Sequence, residues 1–212
     1  TTAASSSSRS SGAAVRMLLA VGALVMAGAS LVAQSQLAQL GLTETAARTF
    51  VLNEIKGTAA VTFTAGTYII KDGKFTVEDN SKITGEHVGF YLLGNATIID
   101  FDDQASVTLT GAMTGDMAGL LFFEDRSAPI NRKHHIQSTK VDVLTGTIYL
   151  SRGQLLVDPN AAVAEDSAYT AIIANRIELT EGPELVLNSD YGATDVPVPA
   201  GIQSTAQVVL SE

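Results

Sequence analysis

Ala118-Gly119-Leu120-Leu121-Phe122-Phe123-Glu124-Asp125-Arg126 is the stretch whose reading decides the fold. A glycine releases a short apolar burst, and charge cuts it off. Buried strands closed by a turn look like this. The same phrase returns as Gly66-Thr67-Tyr68-Ile69-Ile70, Gly89-Phe90-Tyr91-Leu92-Leu93 and Gly146-Thr147-Ile148-Tyr149-Leu150. The leading glycines at 66, 89, 119 and 146 lie 23, 30 and 27 residues apart. Recurrence on that scale signals stacked repeats, none of which can bury its apolar face alone.

Outward from this stretch, the segment from Ala59 to Leu187 reads as strand after strand. Val61-Thr62-Phe63, Phe75-Thr76-Val77 and Val107-Thr108-Leu109 alternate with period two. The strands are rich in β-branched residues and close on Gly, Asn or Asp. Ser127–His135 is polar and contains Pro129, so it is expected to be a loop projecting from the stack. Asn160–Ala168 is expected to be a second excursion. Short strands in repeats of this length predict a right-handed parallel β-helix over 58–195, with about three strands per turn. The alternative is an antiparallel β-sandwich. That fold prefers tight two-residue hairpins, and Asp72-Gly73 is the one clear hairpin signal.

Ahead of the β-region, Thr43 is placed to cap a helix over 43–57. Its apolar positions Ala46, Ala47, Phe50, Val51 and Ile55 follow at three- and four-residue spacing, and Gly57 stops it. Such a helix would cover the first open rung. Residues 1–42 combine a Ser-rich tail with the charge-free run Met17–Val32. Three readings fit that run: a segment buried between copies in an assembly, a membrane anchor, or a retained signal sequence. As a span it is short of the roughly 20 residues required. As a signal it has Arg9 and Arg16 in front and Ala27-Gly28-Ala29 behind. The assembly reading makes Met17, Leu18, Leu19, Val21, Leu24, Val25, Met26, Leu31 and Val32 the interface. Residues 196–212 form an extended tail, because Pro197 and Pro199 exclude helix. Within it, Ser204–Leu210 has the pattern of one final strand.

The chain has 212 residues, 46 % of them apolar, enough for a sizeable core. A net charge of −9 argues against a nucleic-acid partner. Without cysteine there is no disulfide, thiolate nucleophile or Cys-ligated zinc. Charge is polarised along the chain: no acid precedes Glu44, while from Gly153 onward nine acids face the single Arg176. Head-to-tail association of copies would use such polarity.

Few residues suggest chemistry. Asp100, Asp102 and Asp103 form a carboxylate cluster, a weak calcium candidate whose plain reading is a turn. Glu124-Asp125-Arg126 reads as an ion pair anchoring the loop that follows. His134 and His135 are neighbours on an extended segment. They would point to opposite faces and so could not share a metal. There is no G-x-S-x-G elbow, and Gly111–Gly119 lacks the Lys-Ser/Thr of a phosphate loop. No catalytic residue and no cofactor is therefore assigned. For a carbohydrate-binding or carbohydrate-active β-helix, Tyr169 and Tyr191 would be the available aromatics.

Five phrases in order, Ala65–Tyr68, Val88–Gly94, Met117–Arg126, Gly146–Leu150 and Ala168–Ala174, resemble the C-terminal region of TadG-like proteins of the tight-adherence (Flp) pilus-assembly group. The resemblance spans roughly 59–199. It implies an exported bacterial protein of the cell surface or of a filament, and it implies no catalytic residues. The expected role is a structural subunit that polymerises head-to-tail through its N-terminal segment and solenoid ends. Its expected partners are copies of itself, with a membrane serving only as anchor or transit stage. A membrane-anchored pilus assembly factor is a further alternative.

Overall fold

The computed structural model describes residues 47–50, 54–102, 104–199 and 202, with side chains from 54 onward. Among these residues there is no helix. Parallel strands stack as a β-solenoid of about five turns. The first coil is β1 (Ala47–Phe50), β2 (Glu54–Ile55) and β3 (Ala60–Phe63). The second is β4 (Gly66–Lys71), β5 (Lys74–Val77) and β6 (Lys82–Gly85), and the third is β7 (Val88–Leu93), β8 (Ile98–Phe101) and β9 (Ser106–Thr110). Then follow β10 (Leu120–Glu124), β11 (Lys133–Ile136) and the long β12 (Val141–Val157). The chain closes with β13 (Ala162–Val163), β14 (Thr170–Leu179) and β15 (Glu184–Leu185).

Three faces result. The first stacks β1, β4, β7, β10, the middle of β12 and the start of β14. The second stacks β2, β5, β8, β11, the end of β12 and the end of β14. The third stacks β3, β6, β9 and the start of β12, and β13 pairs β15 beyond it. All these ladders are parallel, which sets aside the antiparallel sandwich. Asp72-Gly73 joins β4 to β5 as a corner, not a hairpin. Asp72 sits at φ 52 there, and the two strands go to different faces.

Period two turns one side of every strand inward, and columns of like residues build the core. Tyr68, Phe90 and Phe122 form one such column, with the Phe90 and Phe122 rings stacked at 5.2 Å. Phe63 and Phe75 meet Phe90 from the other faces. Each aromatic pair adds about 0.5–1.5 kcal/mol beyond its burial. A second, outer cluster lies on the first face: Ile69 and Tyr91 pack under Ala112 and Met117.

Three sequence expectations need correction. Residues Ala47–Phe50 and Glu54–Ile55 are strands, not part of a helix over 43–57. An isolated helix of that length is marginal, whereas the open edge of β4 pairs Ala47 through Phe50 with Thr67 through Ile70. Ser127–His135 does not project as a whole: Lys133–Ile136 is β11, and Arg132 and His134 are buried. Asn160–Ala168 is no free excursion either, because Val163 and Ala164 are fully buried and the Ala164 N–H reaches the Val141 carbonyl at 2.8 Å. The interface assigned to Met17–Val32 lies outside the described residues. No helix among the described residues is long and apolar enough to cross a membrane.

Candidate functional site

The densest polar cluster lies inside the stack, at the corner between the first and second faces. In β10 the alternation that turns Phe122 inward also turns Glu124 inward. Its neighbour in the column on β7 is the apolar Leu92. Four groups converge on the carboxylate. Arg132 donates from Nη2 at 2.7 Å and from Nε at 3.3 Å. His134 Nε2 lies 3.2 Å from Oε1. The N–H groups of Arg152 and Gly153, where β12 turns the corner, each donate to Oε2 at 2.8 Å.

The histidine is fixed from both sides. The Ile99 N–H points at His134 Nδ1 from 3.2 Å, so Nδ1 accepts and the ring proton sits on Nε2, donating to Glu124. Burial alone would raise the Glu124 pKa. Hydrogen bonds from His134, Arg132 and the Arg152 N–H together outweigh it and hold the carboxyl below its ordinary range. Arg132 also donates to the Gly94 carbonyl at 2.8 Å, tying this coil to the one before. Glu124 and His134 are fully buried, so no substrate reaches them. The expected anchoring ion pair exists, but its cation is Arg132 rather than Arg126. Asp125 instead accepts from the Ser127 N–H at 3.0 Å. Arg126 lies over the Phe123 and Tyr149 rings, at 6.0 and 5.6 Å from their centroids.

His135 turns outward, as its neighbour turns inward. Its Nε2 is 2.8 Å from Asp158 and its Nδ1 is 3.8 Å from Asp100. Both ring nitrogens thus face acids on adjacent coils. Burial raises the Asp100 pKa, opposed by the charge of His135. Asp102 sits at the turn after β8, where its N–H bonds the Val77 carbonyl at 2.9 Å, and Asp103 lies outside the described residues. No group of three or more His, Asp or Glu among the described residues is placed to hold a metal ion.

The aromatics are spent on packing. Tyr91, Phe123 and Tyr149 stack face to face on the outside of the first face, at 5.5 and 5.0 Å. Such rings present edges outward, whereas a sugar platform needs open ring faces. Burial pushes the Tyr91 hydroxyl up to about 12. Tyr169 is not available as expected, since it is fully buried. Tyr191 is half exposed and rests on Tyr169.

The C-terminal segment runs as a strap over the corner at His87, Gly119 and Tyr169. Asp195 accepts from His87 at 3.0 Å, Val196 is buried, and the Tyr169 hydroxyl donates to the Pro197 carbonyl at 2.7 Å. Pro197 and Pro199 lie directly against Gly119. Among the described residues no further strand covers the end of β14. Ile177 and Leu179 pair with Leu155 and Val157 in inward columns, yet they are 43 and 52 % exposed, and nearby Leu187 is 55 % exposed.

No family model, no curated protein and no solved structure matches the chain.

Proposed function

We propose that this chain is a structural subunit of an exported bacterial filament or pilus-associated surface assembly. Copies join through the N-terminal apolar segment and the solenoid ends. The observation that carries this reading is the last coil, where core-type residues Ile177, Leu179 and Leu187 stand exposed among the described residues. Exposed inward columns at a solenoid end invite another strand layer. Two further features support a structural role. The buried ionisable groups bind one coil to the next instead of lining a cleft, and the ring nitrogens of His134 and His135 are all engaged by neighbouring groups. The repeated Gly-led phrases and their resemblance to TadG-like proteins agree with an exported, surface-associated part.

Electron microscopy of the full chain and of a variant lacking residues 1–33 tests the proposal. Filaments from the full chain and none from the deletion are expected. Filaments that persist unchanged would remove the N-terminal segment from the assembly, and their absence from both preparations would overturn the polymer itself.

A further inference from the structure

We infer that two copies of this chain pair side by side, first face against first face, with their solenoid axes parallel and a twofold between them. The first face is bounded by corners of opposite charge. At or beside the corner shared with the second face lie Lys71, Lys74, Arg126, Lys133, Arg152 and Arg176. The unburied acids there are held locally, Asp72 by the Asn95 N–H and Asp125 by the Ser127 N–H, each at 3.0 Å. At the corner shared with the third face stand Glu86, Asp116, Glu165, Asp166 and Asp190, all exposed. Among the described residues of that corner there is no Lys or Arg.

Between the two corners the face is apolar. Ile69, Tyr91, Phe123, Tyr149 and Ile173 form one outward column along its middle. The loop Gly111–Gly119 thickens the acidic side of the early coils, where Met117 lies so close to Gly89 that an added Cβ would stand 2.9 Å from the Met117 Cβ. On later coils Phe123 and Tyr149 are half-buried and Ile173 is 38 % exposed. The face is six residues wide and five strands tall, roughly 20 by 24 Å. Pairing would bury on the order of 1,000 Å² in all, the lower end for a specific interface, so a reversible dimer sensitive to single charges is expected.

The charges choose both the partner and its direction. A twofold parallel to the solenoid axis exchanges the two corners and keeps every coil at its own height. Lys71 of one copy then faces Glu86 of the other. Arg126, whose guanidinium reaches the Tyr149 ring at 5.6 Å, faces Glu165 and Asp166, and Arg176 faces Asp190. Each Gly111–Gly119 loop comes to lie beside Leu93 of the opposite copy, and Ile173 meets Ile173. A twofold along the strands would instead set like corners together and repel. The contact runs along the length of the stack, not at its ends, so it stands whether or not copies join end to end.

The absence of cysteine makes a direct test clean. The full chain carrying Ile173→Cys is oxidised and sized beside one carrying Lys133→Cys, a position exposed on the second face. A disulfide-linked dimer is expected in most Ile173→Cys molecules, and mostly thiol in Lys133→Cys. Equal cross-linking of the two, or none at Ile173→Cys, would overturn the pairing. Sedimentation equilibrium of the cysteine-free chain gives a second measure. Arg126→Glu should weaken the dimer about tenfold or more, as should Glu165→Arg with Asp166→Arg, and combining all three should restore it. A chain monomeric at every concentration, or a dimer indifferent to these reversals, would refute the inference. A monomer retained on immobilised polyglutamate through Arg126 would pass the basic corner to a foreign polyanion instead.

Discussion

Glu124 and His134 meet at 3.2 Å inside the solenoid, in columns that are otherwise apolar: Leu92 precedes Glu124, and Leu155 follows His134. A charge placed there is tolerated because Arg132 neutralises it and two backbone N–H groups of β12 complete its shell. The cluster makes the corner specific. Two apolar columns slide past each other at little cost, whereas a carboxylate matched to four partners fits one register.

Glu124→Ala should therefore destabilise the fold by about 3–5 kcal/mol, the usual cost of orphaning a buried charge. Chemical unfolding measures it. A loss below about 1 kcal/mol would mean that water or rearrangement satisfies Arg132 at no cost.

Acid should act through the same residue. The folded Glu124 pKa lies below its ordinary value of 4.5. Its contribution is complete above the unfolded value and is lost as pH falls through the folded one. The unfolding midpoint of the native chain should thus fall more steeply below about pH 4 than that of Glu124→Gln. Parallel pH profiles would show that other carboxylates govern acid unfolding.

Gly153 offers a steric probe of the corner. A Cβ at this position would stand 2.5 Å from His134 Nε2 and 3.0 Å from Glu124 Oε1. Gly153→Ala should cost about 1–3 kcal/mol through overpacking alone. The double variant Gly153→Ala with His134→Ala should cost less than the sum of the two, as a double-mutant cycle would reveal.

Gly119→Ala should release the strap. Gly119 has φ +80 and its missing side chain makes room for the Pro197 carbonyl and the Pro199 ring. Limited proteolysis should then cut near Tyr191–Pro199 well before the core is degraded. Unchanged protection of that segment would mean that the strap holds without the close approach.

The Gly-led phrases were readable because each carries a strand of the first face, β4, β7, β10 or the middle of β12, with its own turn residue. Their recurrence every 23 to 30 residues was enough to imply stacking. The second face was harder. Lys133–Ile136 looks like loop because its inward residue is His134, and polarity hid a core position. The available signal was the alternation in Leu120–Glu124, which puts Phe122 and Glu124 on one side and so demands buried partners for the acid. The segment before Gly57 misled for another reason. Apolar residues at three- and four-residue spacing fit a helix, but the unpaired edge of β4 offers a ladder that local periodicity does not show. The outer stack of Tyr91, Phe123 and Tyr149 is visible only once register is known.

The step between paired strands also bears on how the chain acquires its structure. Gly66 pairs with Val88, Phe90 with Phe122 and Gly146 with Thr170, steps of 22, 32 and 24 residues, all of moderate length. Loop-closure entropy is then nearly constant from coil to coil. Ordering can begin at the most cohesive pair, where Phe90 stacks on Phe122, and propagate toward both ends as a zipper. The last coil would be the latest to order and the first to fray, leaving the two ends of the rod kinetically distinct from its middle.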